Sequence, residues 1–320
     1  MKVLLTDFGY ADTKLERQML AEAGMACAEA QCRTPEEVIR AGHDTDAFVA
    51  SYAPITREVF AALPRLRFVT ALGVGVDHID VEAARENRVW VANVPDANVN
   101  EVATHALGMA LALVRHLTFF DRAVRQGRWN YEGTGTLRRP STLTLGIVGL
   151  GRIGRQLARL AEASFGHILG HDPHIPASGW PGGVERSELG PLFRRSDVVS
   201  LHLPLTEENG NLVGHELLGA MRPGSYLVNV SRGGLVDIDA LLPLLDSGHL
   251  AGAALDVLPQ EPPPPDHPIL KHPRVLLNPH AAFYSLESEE EARRKAILNI
   301  LKWAKEGRPP YVVVEGRSGP

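Results

Sequence analysis

Short runs of consecutive apolar residues alternate along nearly the whole chain with stretches whose apolar positions recur every three or four residues. Unbroken apolar runs suit strands buried on both faces, and the longer spacing suits helices lying on them. The pattern therefore predicts α/β units with parallel strands. Strands are predicted at residues 3–6, 47–50, 67–70 and 89–92, with a helix over 13–23, making a first lobe. A long helical pattern follows at 99–126, with Val102, Ala106, Met109, Ala110, Leu113 and Leu117 on one stripe. Asn98 or Asn100 would cap its start and Gly127 would end it. A polar, Gly-rich segment at 129–142 leads to a second lobe. Its strands are predicted at 143–148, 168–172, 198–203, 226–230, 251–257 and 275–277, with helices up to about 163 and over 237–245. An amphipathic helix at 286–305 follows, and then a β-type run at 311–314 that is read as pairing with the first lobe. In the segment GVDHID, Asp80 reads as the N-cap of the next helix.

Composition narrows the class. The length of 320 residues suggests two domains, at about 100–200 residues each. The 33 basic and 38 acidic residues are mixed along the chain and leave a net charge of −5, which gives no electrostatic reason to expect nucleic acid. Cys27 and Cys32 have no CxxC spacing and read as two reduced thiols in a cytoplasmic protein. The N-terminal apolar run is stopped by Asp7, too early for a signal peptide. The run at 106–114 is far shorter than the roughly 20 residues of a membrane span. The thirteen histidines are scattered, and none has zinc spacing with cysteine, so no metal is expected.

The first chemical motif is Gly149-Leu150-Gly151-Arg152-Ile153-Gly154, a GxGxxG that follows the apolar strand LTLGIVG and opens a helix. Gly149 permits the tight turn, Gly151 a close backbone approach to a pyrophosphate, and Gly154 the packing of helix on strand. The helix N-terminus offers free N–H groups and a positive dipole end to the phosphates. Asp172 ends the next strand, 18 positions after Gly154, close to the roughly 20 expected of a ribose-binding carboxylate. It would repel a 2′-phosphate, which favours NAD over NADP. His171 and His174 flank it and would soften that preference if protonated.

Three further residues follow consecutive strands of the second lobe: Arg232 in the turn SRGG, Glu261 beyond Asp256, and His280 after RVLLNP. In open α/β sheets the carboxyl ends of the strands hold the ligand. At this point the sequence resembles the D-isomer-specific 2-hydroxyacid dehydrogenase family. The matching segments are ALGVGVDHID, LTLGIVGLGRIGRQLA, LHLPLTEEN, LVNVSRGGLVD, ALDVLPQEP and NPHAA, in family order. Within the family, PPPPDHPIL and PHAAFYS look most like the C-terminal-binding-protein-like branch.

The resemblance implies roles. Arg232 would hold the substrate carboxylate and polarise its 2-oxo group, a bidentate task that suits a guanidinium. His280 would be the acid–base, and Glu261 its partner, since a neighbouring carboxylate favours the imidazolium. The Gly73-Val74-Gly75 backbone would bind the substrate carboxylate as an anion nest. Asp256 would contact the nicotinamide end. Val230 and Ser231 would line the cofactor wall, with Leu203 and Pro204 near the adenosine. Val102 reads either as a cofactor contact or as a core valine. Tyr52 and Phe283 read either as borders of the substrate side chain or as ordinary packing.

The fold implied is α/β, two Rossmann-like doubly wound parallel-sheet domains. An NAD-binding domain at 100–283 is inserted into a discontinuous substrate-binding domain at 1–99 plus 284–320. The function implied is NAD-dependent interconversion of a 2-oxo acid and a D-2-hydroxy acid by a cytoplasmic homodimer, with a small-molecule substrate as its partner and no membrane. Two alternatives accompany it: a dinucleotide-sensing corepressor-like scaffold, and a 3-phosphoglycerate dehydrogenase lacking a regulatory domain. The corepressor pattern has an arginine just before the Gly-rich substrate turn, where this chain has Ala71. A formate dehydrogenase relative is disfavoured, because that branch has Gln in place of Glu261. Ala71 and Phe283 lean towards an uncharged substrate side chain. The segment QEPPPPDHP at 260–268 carries five of the 23 prolines. Beginning beside Glu261, it reads as a stiff loop that holds the acid–base partner.

Overall fold

The computed structural model describes residues 1–132 and 136–317. The Gly-rich segment expected at 129–142 therefore lies partly outside the described residues, as do positions 318–320 of the C-terminal stretch assigned to the first lobe. The chain divides into two compact units, Met1–Asn98 with Tyr284–Pro320, and Val99–Phe283.

The first unit opens with β1 (Lys2–Leu5), α1 (Lys14–Glu22), β2 (Ala26–Glu29), α2 (Pro35–Gly42), β3 (Ala47–Ala50), α3 (Arg57–Ala62), β4 (Phe68–Ala71), α4 (Val81–Glu86) and β5 (Trp90–Ala92). The second runs through α5 (Val99–Val114), α6 (Leu117–Arg125), β6 (Thr144–Val148), α7 (Arg152–Ala161), β7 (His167–His171), β8 (Glu185–Arg186), α8 (Leu189–Arg195), β9 (Val198–Leu201), α9 (His215–Ala220), β10 (Ser225–Asn229), α10 (Ile238–Asp246), β11 (Leu250–Leu255) and β12 (Val275–Leu277). The chain then returns to the first unit with α11 (Leu286–Glu306) and β13 (Val312–Val314).

The first sheet has the order β13-β5-β4-β3-β1-β2. All its pairs are parallel except β13 on β5. Order reverses between β1 and β3, the flavodoxin-like switch point. The second sheet has the order β12-β11-β10-β9-β6-β7-β8 and is wholly parallel. Its switch point lies between β6 and β9.

Alternate strand residues feed the two faces of each sheet, as the pleat requires. In β1, Val3 and Leu5 join one core cluster and Leu4 another. In β6, Leu145 and Ile147 pack on one side and Val148 on the other. Trp303 of α11 is fully buried, its ring 4.9 Å from that of Phe68. Asp80 caps α4, accepting from the Ala83 N–H at 2.8 Å.

The helix expected at 99–126 is two helices, α5 and α6, bent by 60°. His116 stands at the break in the left-handed conformation, φ 53°, and its Nε2 lies 2.9 Å from the Tyr226 hydroxyl of β10. α5 buries Ala106, Met109, Ala110 and Leu113 in the core, whereas α6 leaves Leu117, Phe119 and Val124 exposed. Neither asparagine caps α5. Asn98 Oδ1 is buried with no hydrogen-bond partner, and Asn100 lies inside the helix, where its Oδ1 accepts from Gln156. Among the described residues no single helix is long and apolar enough to cross a membrane.

Candidate active site

The loops after β6, β9, β10, β11 and β12 carry most of the residues singled out by sequence, and the glycines explain how those loops approach one another. Gly149 has φ 91°, and a β-carbon there would lie 2.4 Å from the His202 carbonyl oxygen, so only glycine lets the β6 turn touch the end of β9. A β-carbon on Gly154 would lie 2.0 Å from the Gly149 oxygen, which is the helix-on-turn contact expected of the third motif glycine. At Gly151 an added β-carbon would meet nothing within 4 Å. The turn thus leaves open space beside the first-turn N–H groups of α7, which have no intrahelical acceptor. This cradle fits a pyrophosphate.

Arg152 is exposed and Ile153 packs partly against the core. Asp172, at the end of β7, accepts from the Leu150 N–H through Oδ2 (2.9 Å) and from the His174 N–H through Oδ1 (3.0 Å). Its carboxylate is thereby tied to the Gly-rich turn itself. Leu203 is half-buried and Pro204 exposed beyond β9. Val102 and Val230 both lie in the apolar core of this unit.

Beyond β10 the turn SRGG is braced from beneath. Asn229 is fully buried. Its Nδ2 donates to the Arg232 carbonyl (2.8 Å) and its Oδ1 accepts from the Ser231 N–H (3.0 Å). The Ser231 hydroxyl donates to the Leu201 carbonyl at 2.6 Å, and Arg232 Nη1 donates to the Ser231 carbonyl at 2.8 Å. Gly233 lies against the backbone of Leu258. The Leu258 N–H in turn donates to Glu261 Oε1 at 2.9 Å, and Glu261 Oε2 lies 2.6 Å from His280 Nδ1. The Leu258 backbone therefore links the Arg232 turn to the Glu261–His280 pair. The proline run leaves Glu261 and returns to the core at Ile269, which is fully buried.

His280 has φ 54°. Its N–H donates to the Asp256 carbonyl at 2.7 Å, and the next two N–H groups, of Ala281 and Ala282, donate to the Asp256 carboxylate at 2.8 and 2.9 Å. The Phe283 ring stands edge-on to the His280 ring, 6.3 Å between centroids. With Nδ1 held by a carboxylate, Nε2 is the ring nitrogen left for proton exchange.

In the first unit, Asp7 follows β1 and accepts from the Ser51 N–H (3.0 Å) and the Tyr52 N–H (2.7 Å), bridging that sheet's switch point. Tyr52 is 68% exposed. The Gly73 and Val74 carbonyls are held by the Val94 N–H (2.9 Å) and Asn93 Nδ2 (2.7 Å), which fixes the turn that also contains Gly75.

Several residues of this constellation escaped the sequence reading. Asn229 had a signal, a polar residue closing an apolar strand just before SRGG. Gly233 had none beyond its place in the motif. His202 follows β9, with Nε2 2.8 Å from the Ser200 hydroxyl. Burial alone pulls its pKa down to about 3, so the ring is neutral.

Known proteins match across this architecture. A profile described as the D-isomer specific 2-hydroxyacid dehydrogenase NAD binding domain matches residues 107–282. A glyoxylate reductase of Korarchaeum cryptofilum is 39% identical over 86% of this chain and 85% of its own. The crystal structure of a glyoxylate reductase from Paecilomyes thermophila superposes with a TM-score of 0.88 at 30% identity, covering 98% of this chain and 97% of that one. An NADPH-dependent glyoxylate/hydroxypyruvate reductase from Sinorhizobium meliloti, solved with NADP and malonate, gives a TM-score of 0.86 at 29% identity, over 100% and 99% of the two chains.

Proposed function

The chain belongs to the D-isomer-specific 2-hydroxyacid dehydrogenase family, and we propose that it interconverts a 2-oxo acid and a D-2-hydroxy acid with NAD, using Arg232, Glu261 and His280 as catalytic residues. It is an oxidoreductase of that family and carries the family's NAD-binding domain. The observation that carries the finer reading is the 2.6 Å contact between His280 Nδ1 and Glu261 Oε2.

When bound, the dinucleotide supplies or accepts the hydride. His280 Nε2 gives a proton to the carbonyl oxygen during reduction and takes it back in the reverse direction. Glu261 fixes the ring and offsets its positive charge. Arg232 binds the carboxylate and polarises the 2-oxo group. We assign the amides of Gly73, Val74 and Gly75 to binding a substrate carboxylate, and Tyr52 and Phe283 to the substrate side chain. Residues 1–99 with 284–320 serve as the substrate-binding domain and 100–283 as the NAD-binding domain. A preference for NAD over NADP is supported by Asp172, whose charge beside the Gly-rich turn opposes a 2′-phosphate. A homodimer is supported by the exposed Leu117, Phe119 and Trp129.

The names of the relatives make glyoxylate the first substrate to try. The test is an NADH-oxidation screen over a panel of 2-oxo acids. Saturable turnover of at least one is expected. Turnover of none, beside tight NADH binding, would overturn the proposal.

A further inference from the structure

Behind the His280 loop lies a contact that the proposed chemistry does not use. Asp256 is 2% exposed and gathers three successive N–H groups: His280 on its carbonyl oxygen, Ala281 on Oδ1 and Ala282 on Oδ2. The carboxylate takes two of the three, and the backbone that brings them there passes through the left-handed residue His280 at φ 54°. A side chain disfavours that conformation, and these hydrogen bonds oppose its relaxation.

Each carboxylate oxygen takes one backbone N–H and keeps a lone pair for a further partner. His105 of α5 lies close by. Its Nε2 is 3.9 Å from Asp256 Oδ1, too long for a hydrogen bond but within ion-pair range. The same Nε2 is buried and has no hydrogen-bond partner. On either side of it along α5, Val102 and Ala106 are locked in the core, which limits where the imidazole can go.

We propose that His105 is a positioning residue for the acid–base step. Its imidazole, with Nε2 3.9 Å from Oδ1, holds the Asp256 carboxylate in the orientation that organises the backbone at residues 280–282, and thereby sets the His280 ring against Glu261. His105 acts only through Asp256. The proposal rests on His280 being the acid–base.

The test compares His105→Leu with His105→Gln, whose amide supplies a donor toward Asp256, in the full chain. Without added cofactor, the Leu variant is expected to exchange the Ala281 and Ala282 amide hydrogens about tenfold or more faster than wild type, and the Gln variant to stay near wild type. The Leu variant is expected to lose about ten- to a hundredfold in kcat, the cost of a small misplacement, with NADH affinity kept. In an Asp256→Asn background, His105→Leu should have no further effect. If His105→Leu does not fold, His105→Asn, whose amide is too short to reach Oδ1, takes its place with the same expectations. Unchanged exchange in a folded Leu variant, or additive losses in the double variant, would overturn the role while leaving wild-type turnover intact. Absence of wild-type turnover on every 2-oxo acid overturns the acid–base reading, and this role with it.

Discussion

Gly233 and Leu258 touch so closely that a β-carbon on the glycine would lie 1.9 Å from the leucine carbonyl carbon. Backbone cannot give way as a flexible side chain can, so Gly233→Ala must push the Arg232 turn off the loop that carries Glu261. A loss of about 1–3 kcal/mol is expected from the overpacking, with a fall in kcat because two catalytic loops separate. Thermal melts and steady-state kinetics check both. A variant with wild-type stability would show that this contact does not constrain the loops.

His280→Gln should lower the rate of 2-oxo acid reduction by about 10²–10⁴-fold, the range for a lost acid–base, with NADH affinity nearly kept. Glu261→Gln retains a polar partner for Nδ1 but removes the charge, so a smaller loss, roughly tenfold, is expected. Equal turnover in His280→Gln would remove it from the mechanism.

The motif glycines should separate stability from binding. Gly151→Ala fills space that is open in the structure, so stability should change by less than about 0.5 kcal/mol. NADH affinity should fall by roughly tenfold or more, or about 1.4 kcal/mol. Gly149→Ala places a side chain at φ 91° against the His202 backbone and should destabilise the fold. Titration of NADH fluorescence and urea unfolding distinguish the two. Unchanged NADH binding by Gly151→Ala would move the pyrophosphate elsewhere.

Asp172→Ala should narrow the preference for NADH over NADPH. It also removes the acceptors of the Leu150 and His174 N–H groups, so NADH binding itself should weaken, by roughly tenfold at about 0.5–1.5 kcal/mol per bond. A weakened affinity with an unchanged cofactor ratio would mean that the ribose is read by another residue.

His202 makes stability depend on pH. Its pKa is lowered from 6.5 to about 3 in the fold, so the unfolded chain takes up the proton first. Its contribution is complete above 6.5 and declines as pH falls from there towards about 3, by up to roughly 1.4 kcal/mol per unit. Urea unfolding between about pH 7 and pH 4 should show a shallower loss for His202→Asn than for wild type. Parallel losses would exclude the ring as the source.

The larger elements were legible because their physics is local. The Rossmann strands read as unbroken apolar runs, and the strand at 275–277 has its expected bounds. β2 leaves little trace because ACAE is an edge strand with no buried residue. α3 and α4 are six residues each, too short to show a period. The break between α5 and α6 falls at Arg115 and His116, with neither glycine nor proline to mark it. The Tyr226 partner of His116 lies 110 positions away and comes beside it on folding. The same limit applies to the site. Arg232, Glu261 and His280 stand out through motifs and Asn229 through its place at the end of an apolar strand, whereas His105 acquires meaning only from what folding brings beside it.

Because the six-stranded unit is built from segments on both sides of the inserted one, its assembly has a timetable. α11 and β13 emerge from the ribosome only after all of Val99–Phe283 has been made. Until then Val3, Leu5, Phe68 and Trp90 lack the cover that Ile297, Ile300 and Trp303 later provide. The inserted unit is continuous and can close its own core at once. Residues 1–98 are therefore translated before the inserted unit but completed after it, and their bare sheet face is where a nascent-chain chaperone has most to protect.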